Sequence, residues 1–277
     1  MSTTRPPKQR APAGTCDCHF HIFGPYDRFP LSAGRTYNSP PALVPEYLAM
    51  AESLGIERMI VVQASVSGID NAVTLDAVRQ FGQHRARAVA VIDDSFSDTA
   101  LRAMDAGGVR GVRFNLSSGN GTPVEQLAPI ARRLAPLGWH IQVYTEGETL
   151  AEMAPVLAGL PVPVVIDHCG GVMAGLGMEH PQFRSLLDLL DSGNAWIKVC
   201  SYRVSSTGQP WADPAPNVRT FVSRYPDRCI WGTDWPHPQM NPRPEAGLLL
   251  DQFLEWVPDT VTRQRVLVDN PARLYGF

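Results

Sequence analysis

Lysine is nearly missing from this chain: of its 24 basic residues only Lys8 and Lys198 are lysines, and the formal net charge is −3. The arginines are scattered rather than clustered, so no nucleic-acid or polyanion surface is expected. No run of 18 consecutive apolar residues occurs, and no membrane span is expected. The five cysteines are an odd number, and Cys16, Cys18, Cys169, Cys200 and Cys229 all fall in or beside apolar strand-like runs. A disulfide framework is therefore not expected; buried thiols in a reducing compartment are. Cys16-x-Cys18 has no second pair at finger spacing, so it is not taken as a zinc site. Nor does a glycine-rich turn follow the first apolar run, which continues His19-Phe20-His21-Ile22-Phe23-Gly24 and excludes a dinucleotide fingerprint. Met1 to Gly14 is rich in Pro, Arg and Thr and has no apolar core for export, which predicts a flexible arm (residues 1–14) on a cytoplasmic protein.

What is present is apolar periodicity. Hydrophobic residues make up 44% of the chain and charged residues 18%, enough to bury a large core. Eight β-branched runs stand out: Thr15–Ile22, Arg58–Gln63, Arg87–Ile92, Val109–Phe114, His140–Tyr144, Val162–Asp167, Ala195–Cys200 and Arg228–Gly232. Amphipathic stretches lie between most of them. One carries Leu43, Tyr47, Leu48, Met50, Ala51 and Leu54 and closes at Gly55; another carries Val73, Leu75, Val78 and Phe81; a third carries Leu127, Ile130, Ala131, Leu134 and Leu137 and closes at Gly138. Continuous apolar strands alternating with such helices indicate a parallel sheet covered by helices. Eight repeats in one domain, residues 15–277, predict an α/β fold of the (β/α)8 TIM-barrel type, with an open doubly wound sheet as the rival.

A barrel places its chemistry at the C-terminal ends of its strands, and the polar residues fall there. His19 and His21 end the first run, Gln63 and Ser65 follow the second, and Arg113 and Asn115 the fourth. Tyr144 ends the fifth, His168 follows the sixth and Asp234 the eighth. Three imidazoles and a carboxylate can serve either of two purposes. They can hold one divalent ion, zinc or manganese, that activates water. Alternatively, Asp234 takes a proton from water directly while the histidines donate hydrogen bonds to a carbonyl oxygen. Arg113 can grip a carboxylate through two parallel hydrogen bonds, with Asn115, Ser65, Tyr37, Tyr144 and Arg203 as further donors. The proline-rich segment 24–41 and the segment 202–217 are candidate lids. Lys198, inside the seventh run, suits pairing with a buried carboxylate better than Schiff-base chemistry.

Six segments carry a resemblance. They are Asp17-Cys18-His19-Phe20-His21-Ile22-Phe23-Gly24-Pro25, Val62-Gln63-Ala64-Ser65, Gly111-Val112-Arg113-Phe114-Asn115, Val165-Ile166-Asp167-His168, Ile230-Trp231-Gly232-Thr233-Asp234-Trp235-Pro236-His237-Pro238 and Asn270-Pro271-Ala272-Arg273-Leu274-Tyr275. On these the chain resembles the amidohydrolase superfamily, in the metal-independent branch typified by 2-pyrone-4,6-dicarboxylate lactonase. The resemblance implies a distorted (β/α)8 barrel hydrolysing a small carboxylated lactone. Asp234 would activate water, and His19, His21 and His168 would polarise the carbonyl. Arg113, Ser65, Tyr37 and Tyr144, with Arg203 and His237, would hold carboxylates, and the Gln63-Ala64-Ser65 segment belongs to the same branch pattern. No cofactor is expected, with a single zinc or manganese ion on His19, His21, His168 and Asp234 as the alternative.

Two departures concern the substrate, because Gly119 and Gly171 stand where the dicarboxylate enzyme carries arginines. Sugar-acid lactonases, a sulfonated-muconolactone hydrolase and a galactaro-lactone isomerase belong to the same branch. In the isomerase a substrate hydroxyl replaces water. A mononuclear metal-dependent hydrolase or decarboxylase, and a barrel that binds a ligand without catalysis, are the further alternatives. The sequence sets no oligomeric state.

Overall fold

The computed structural model describes residues 5–117 and 120–277. Its centre is one eight-stranded sheet in which each strand lies parallel to the next, in chain order. The strands are β1 (Cys16–Phe20), β2 (Arg58–Val62), β3 (Ala86–Ala90), β4 (Val109–Asn115), β5 (His140–Tyr144), β6 (Val164–Ile166), β7 (Ala195–Lys198) and β8 (Cys229–Ile230). Helices α1 (Val44–Leu54), α2 (Ala72–Phe81), α3 (Asp98–Ala106), α4 (Leu127–Leu134), α5 (Gly147–Ala158), α6 (Pro181–Asp191), α7 (Ala215–Arg224) and α8 (Ala246–Trp256) follow β1 to β8 in turn. This is the predicted (β/α)8 barrel. The predicted stripes are the buried faces: Tyr47, Met50, Ala51 and Leu54 of α1 and Leu127, Ile130, Ala131 and Leu134 of α4 pack into the layer between helices and strands. Gly55 ends α1 in the left-handed region, where the missing Cβ removes the steric cost.

The strands are buried on both faces, which is why they read as unbroken apolar runs. Phe20, Val61, Ala88, Val112 and Ile141 face the helices, whereas Cys16, Cys18, Ile60, Val62, Val165 and Ile230 fill the barrel with Tyr275. Because β8 is only two residues long, the barrel closes through the segment after it. Cys18 N donates to Trp231 O at 2.9 Å, Asp234 N to His19 O at 2.7 Å, and His21 N to Trp235 O at 2.8 Å. Gly232 permits that approach: a Cβ there would lie 2.6 Å from the backbone nitrogen of His19.

One irregularity matters for everything at the barrel mouth. Between Asp17 and Phe20 the register of β1 against β2 shifts, Asp17 facing Met59 and Phe20 facing Val61, so β1 holds one extra residue. Cys18 and His19 therefore both turn inward, Phe20 turns outward onto Tyr47, and His21 turns inward again. Asp17 is left facing α1, where it accepts from Tyr47 Oη at 3.1 Å, Thr233 N at 2.9 Å, Thr233 Oγ1 at 2.6 Å and His19 N at 3.1 Å. The two bonds from Thr233 tie β1 to the segment carrying Asp234, and the one from Tyr47 ties it to α1.

In the stretch expected to be an arm, Lys8 N donates to Asp251 and Ala11 N to Leu54 O, while residues 1–4 lie outside the described residues. All five cysteines are buried and unpaired. Among the described residues no helix is long and apolar enough to cross a membrane.

Candidate active site

Asp234 sits at the centre of the mouth. It follows β8 with a φ of 58°, in the left-handed region that aspartate tolerates better than most residues, and it is fully buried. Its Oδ2 accepts from Tyr202 Oη and from Arg203 Nε, each at 2.5 Å. Its Oδ1 has no hydrogen bond and faces His21 Nε2 at 3.4 Å and His19 Nε2 at 3.6 Å. Burial acts to raise the Asp234 pKa, but the charge of Arg203, then His168 and the two other imidazoles, outweigh it and hold the carboxyl well below its usual range.

The three histidines are positioned differently. His21 Nδ1 is 2.8 Å from the carbonyl of Val62 and must be the donor of that bond, which leaves Nε2 facing a carboxylate oxygen. Two lone pairs at that distance need a proton or a cation between them. His19 lies beneath, fully buried, with Nδ1 3.2 Å from both Asp167 Oδ1 and Lys198 Nζ. Burial holds its pKa well below the ordinary value. His168 follows β6 at a φ of 47°, its ring 4.7 Å from that of His19 and 5.1 Å from that of Tyr144, and burial lowers its pKa to about 3. Positive φ at both His168 and Asp234 is the kind of backbone strain that gathers where side chains must be aimed.

Below this layer Asp167 acts as a hub. Its Oδ1 meets His19 Nδ1 and Lys198 Nζ, at 3.2 and 3.1 Å, and its Oδ2 accepts from Arg113 Nε and Gln142 Nε2, both at 3.0 Å. Lys198 is thus paired to a carboxylate, and it is fully buried. Burial works against the Asp167 charge, yet Lys198, His19 and Arg113 keep its pKa well below normal.

A cavity of about 260 Å³ opens above these groups. His21, His168 and Asp234 line it, as do Arg113, Asn115, Ser65, Tyr37, Tyr144 and Arg203. The segment 24–41 supplies Tyr37 and Thr36, and the segment after β7 supplies Arg203. His19 does not reach the lining; it touches Asp234 from behind. Gln63 is a correction, since its side chain is spent inside the fold, donating to Gly68 O at 3.1 Å and Asp70 O at 2.8 Å and accepting from Thr74. His237 is another: it lies behind Tyr202, rings 5.4 Å apart, and lines a separate groove between α1 and the start of α8. Thr36, Ser117, Glu146 and Gln239 also line the cavity without having been singled out. They sit on loops, where no periodicity marks a direction. Gly119 lies outside the described residues.

The donor set fits a divalent ion. The ligand atoms of His19, His21 and Asp234 lie within 4.8 Å of one another, and two of them, His19 Nε2 and Asp234 Oδ1, are buried with no hydrogen-bond partner. Such orphaned atoms are satisfied equally by an ion or by protons donated from the imidazoles.

A family model described as Amidohydrolase matches residues 16–277, the whole of the barrel. The chain belongs to the amidohydrolase family. This amidohydrolase is 39% identical over 282 residues to the 2-pyrone-4,6-dicarboxylate hydrolase of Comamonas testosteroni, covering 97% of this chain and 92% of that one. It is 31% identical to the D-galactarolactone isomerase of Agrobacterium fabrum, covering 97% and 93%. A solved apo structure from Agrobacterium tumefaciens superimposes with a TM-score of 0.89 at 30% identity, covering 98% of each chain. The curated relatives thus include both a lactone hydrolase and a lactone isomerase.

Proposed function

We propose that the amidohydrolase hydrolyses a small carboxylated lactone, with Asp234 as general base and no metal ion required. The observation that carries this reading is the free Oδ1 of Asp234, set against two imidazoles in a cavity also lined by two guanidinium groups. Arg113 and Arg203, with Ser65, Tyr37, Tyr144 and Asn115, hold the substrate carboxylate and orient the ring. Water between Asp234 and the carbonyl carbon gives its proton to Oδ1 as the new C–O bond forms. The carbonyl electron pair moves onto oxygen, which accepts a hydrogen bond from His168 in the cavity lining. His19, behind the lining, has Nδ1 3.2 Å from both Lys198 Nζ and Asp167 Oδ1, and its other nitrogen backs the Asp234 carboxylate rather than the substrate. Collapse breaks the ring C–O bond, and the leaving oxygen takes the proton back from Asp234. A lactone has a better leaving group than an amide, so this chemistry proceeds without a Lewis acid.

If a divalent ion does bind, His19, His21 and Asp234 would hold it, with His168 beside them, and it would supply a more acidic bound water. Isomerisation is the second reading, favoured by the galactarolactone isomerase relative. A substrate hydroxyl, deprotonated by Asp234, would then attack in place of water. Screening carboxylated and sugar-acid lactones by proton NMR, alongside metal analysis of the active protein, tests all three. Activity unchanged by a chelator, with less than stoichiometric metal, is expected. Asp234→Asn should lower kcat by ~10² to 10⁴ with the fold intact. Near-normal turnover in that variant would remove Asp234 from the base position, and loss of activity on chelation restored by zinc or manganese would overturn the metal-free route.

A further inference from the structure

Among the described residues lining the cavity, Glu146 is the one carboxylate with no partner. It precedes α5 as its N-cap, yet its side chain makes no capping bond, and it takes part in no ion pair. Neither guanidinium group of the lining is paired with Glu146: Arg113 meets Asp167 at 3.0 Å and Arg203 meets Asp234 at 2.5 Å, each through Nε. Nor can a counter-charge reach Glu146 from the adjoining turn. Gly171 has a φ of 65°, and a Cβ there would overlap the Thr145 carbonyl oxygen and lie 3.0 Å from Glu146 Cα. The rest of the rim is neutral and hydrogen-bonding: Thr36, Ser117 and Gln239.

We infer that Glu146 is a specificity-determining residue that selects lactones bearing one carboxylate and a hydroxylated far end over lactones bearing two anionic groups. The inference rests on the lactone reading above. A cavity of about 260 Å³ is filled by one substituted ring, so a substrate held at the guanidinium groups also meets Glu146 in the same lining. An unpaired carboxylate accepts hydrogen bonds from neighbouring hydroxyls, and such charge-assisted bonds are the strong ones. A second carboxylate or a sulfonate meets like charge instead, with no cation to offset it.

The test measures kcat/KM by proton NMR, which registers hydrolysis and isomerisation alike. Its substrates are D-galactarolactone, with one carboxylate and several hydroxyls, and 2-pyrone-4,6-dicarboxylate, with two carboxylates. The wild type should prefer the former. Glu146→Gln should lower its kcat/KM on galactarolactone roughly tenfold, mainly through KM, and Glu146→Asp should retain most of it. Glu146→Lys should raise kcat/KM on the dicarboxylate roughly tenfold. Glu146 is exposed, so unchanged thermal melting in all three variants is expected. A wild-type preference for the dicarboxylate, or a substrate ratio unmoved by Gln and Lys, would overturn the inference and leave the lactone reading standing. A wild type that turns over no carboxylated lactone at all would overturn both.

Discussion

Arg113 Nε donates to Asp167 Oδ2 at 3.0 Å, so the guanidinium is anchored by one edge and its two terminal amino groups remain for a ligand. The same carboxylate meets Lys198 and His19 through its other oxygen. A single buried anion therefore aims the residue proposed to grip the substrate and fixes the imidazole that backs Asp234.

Arg113→Lys should fail at this double task, because an ammonium cannot bond Asp167 and present a planar fork to a carboxylate at once. We expect kcat/KM on a carboxylated lactone to fall by ~10-fold or more in Arg113→Lys and by ~100-fold in Arg113→Met, since a hydrogen bond to a charged group contributes about 1.5–3 kcal/mol. Steady-state kinetics check this. Wild-type KM in the lysine variant would mean that a point charge suffices.

Asp167→Asn should cost stability as well as activity. It leaves Lys198 and Arg113 buried with no anion between them, and breaking a buried pair from one side typically costs about 3–5 kcal/mol. Adding Lys198→Met should recover part of that loss, because the second change removes one of the stranded charges. Urea unfolding of the two single variants and the double variant measures the coupling; additive losses would show that the two side chains act independently.

Much of this was legible in the chain. The eight apolar runs became the eight strands, and His19, His21, His168 and Asp234 converge because parallel strands bring their C-terminal ends to one mouth. The β1 bulge was not legible. Strict alternation would put Asp17, His19 and His21 on one face, but the extra residue is set by pairing with β2 and sends Asp17 to the helix side. Asp167 could be seen only as the polar end of a run, since its partners come from β1, β4, β5 and β7. Gln63 looked like a site residue because it directly follows β2, yet the turn at residues 68–70 claims its amide.

His140 predicts a pH dependence of stability. It is buried inside the barrel near Tyr275, both ring nitrogens lack hydrogen-bond partners, and burial, with the charge of Lys198 second, lowers its pKa to about 3. Between that value and the unfolded value near ~6.5 the unfolded chain holds a proton that the folded chain does not, so stability rises with pH across this window. On acidification from pH 6.5 the contribution is lost at up to ~1.4 kcal/mol per pH unit. His140→Gln should flatten this slope by about one proton in urea titrations at pH 7 and pH 5. An unchanged slope would mean that His140 stays accessible to protonation in the folded state.

Gly171 gives the sharpest steric prediction. Its φ of 65° already disfavours any Cβ, and a Cβ placed there would overlap the Thr145 carbonyl and crowd the backbone of Glu146. Neither neighbour is a flexible side-chain end that can swing aside. Gly171→Ala should therefore lower unfolding free energy by roughly 2–5 kcal/mol, the conformational and overlap terms acting together. Gly171→Arg should do no better, because the obstacle is the first carbon of the side chain and not its length. Replacing this glycine is thus the wrong way to introduce a dicarboxylate clamp, whereas the exposed Glu146 beside it accepts a cation without moving the backbone. Thermal melts of Gly171→Arg and Glu146→Lys side by side should separate clearly, the first lowered and the second near wild type. Equal melting temperatures would show that the turn at 170–171 yields more readily than its packing implies.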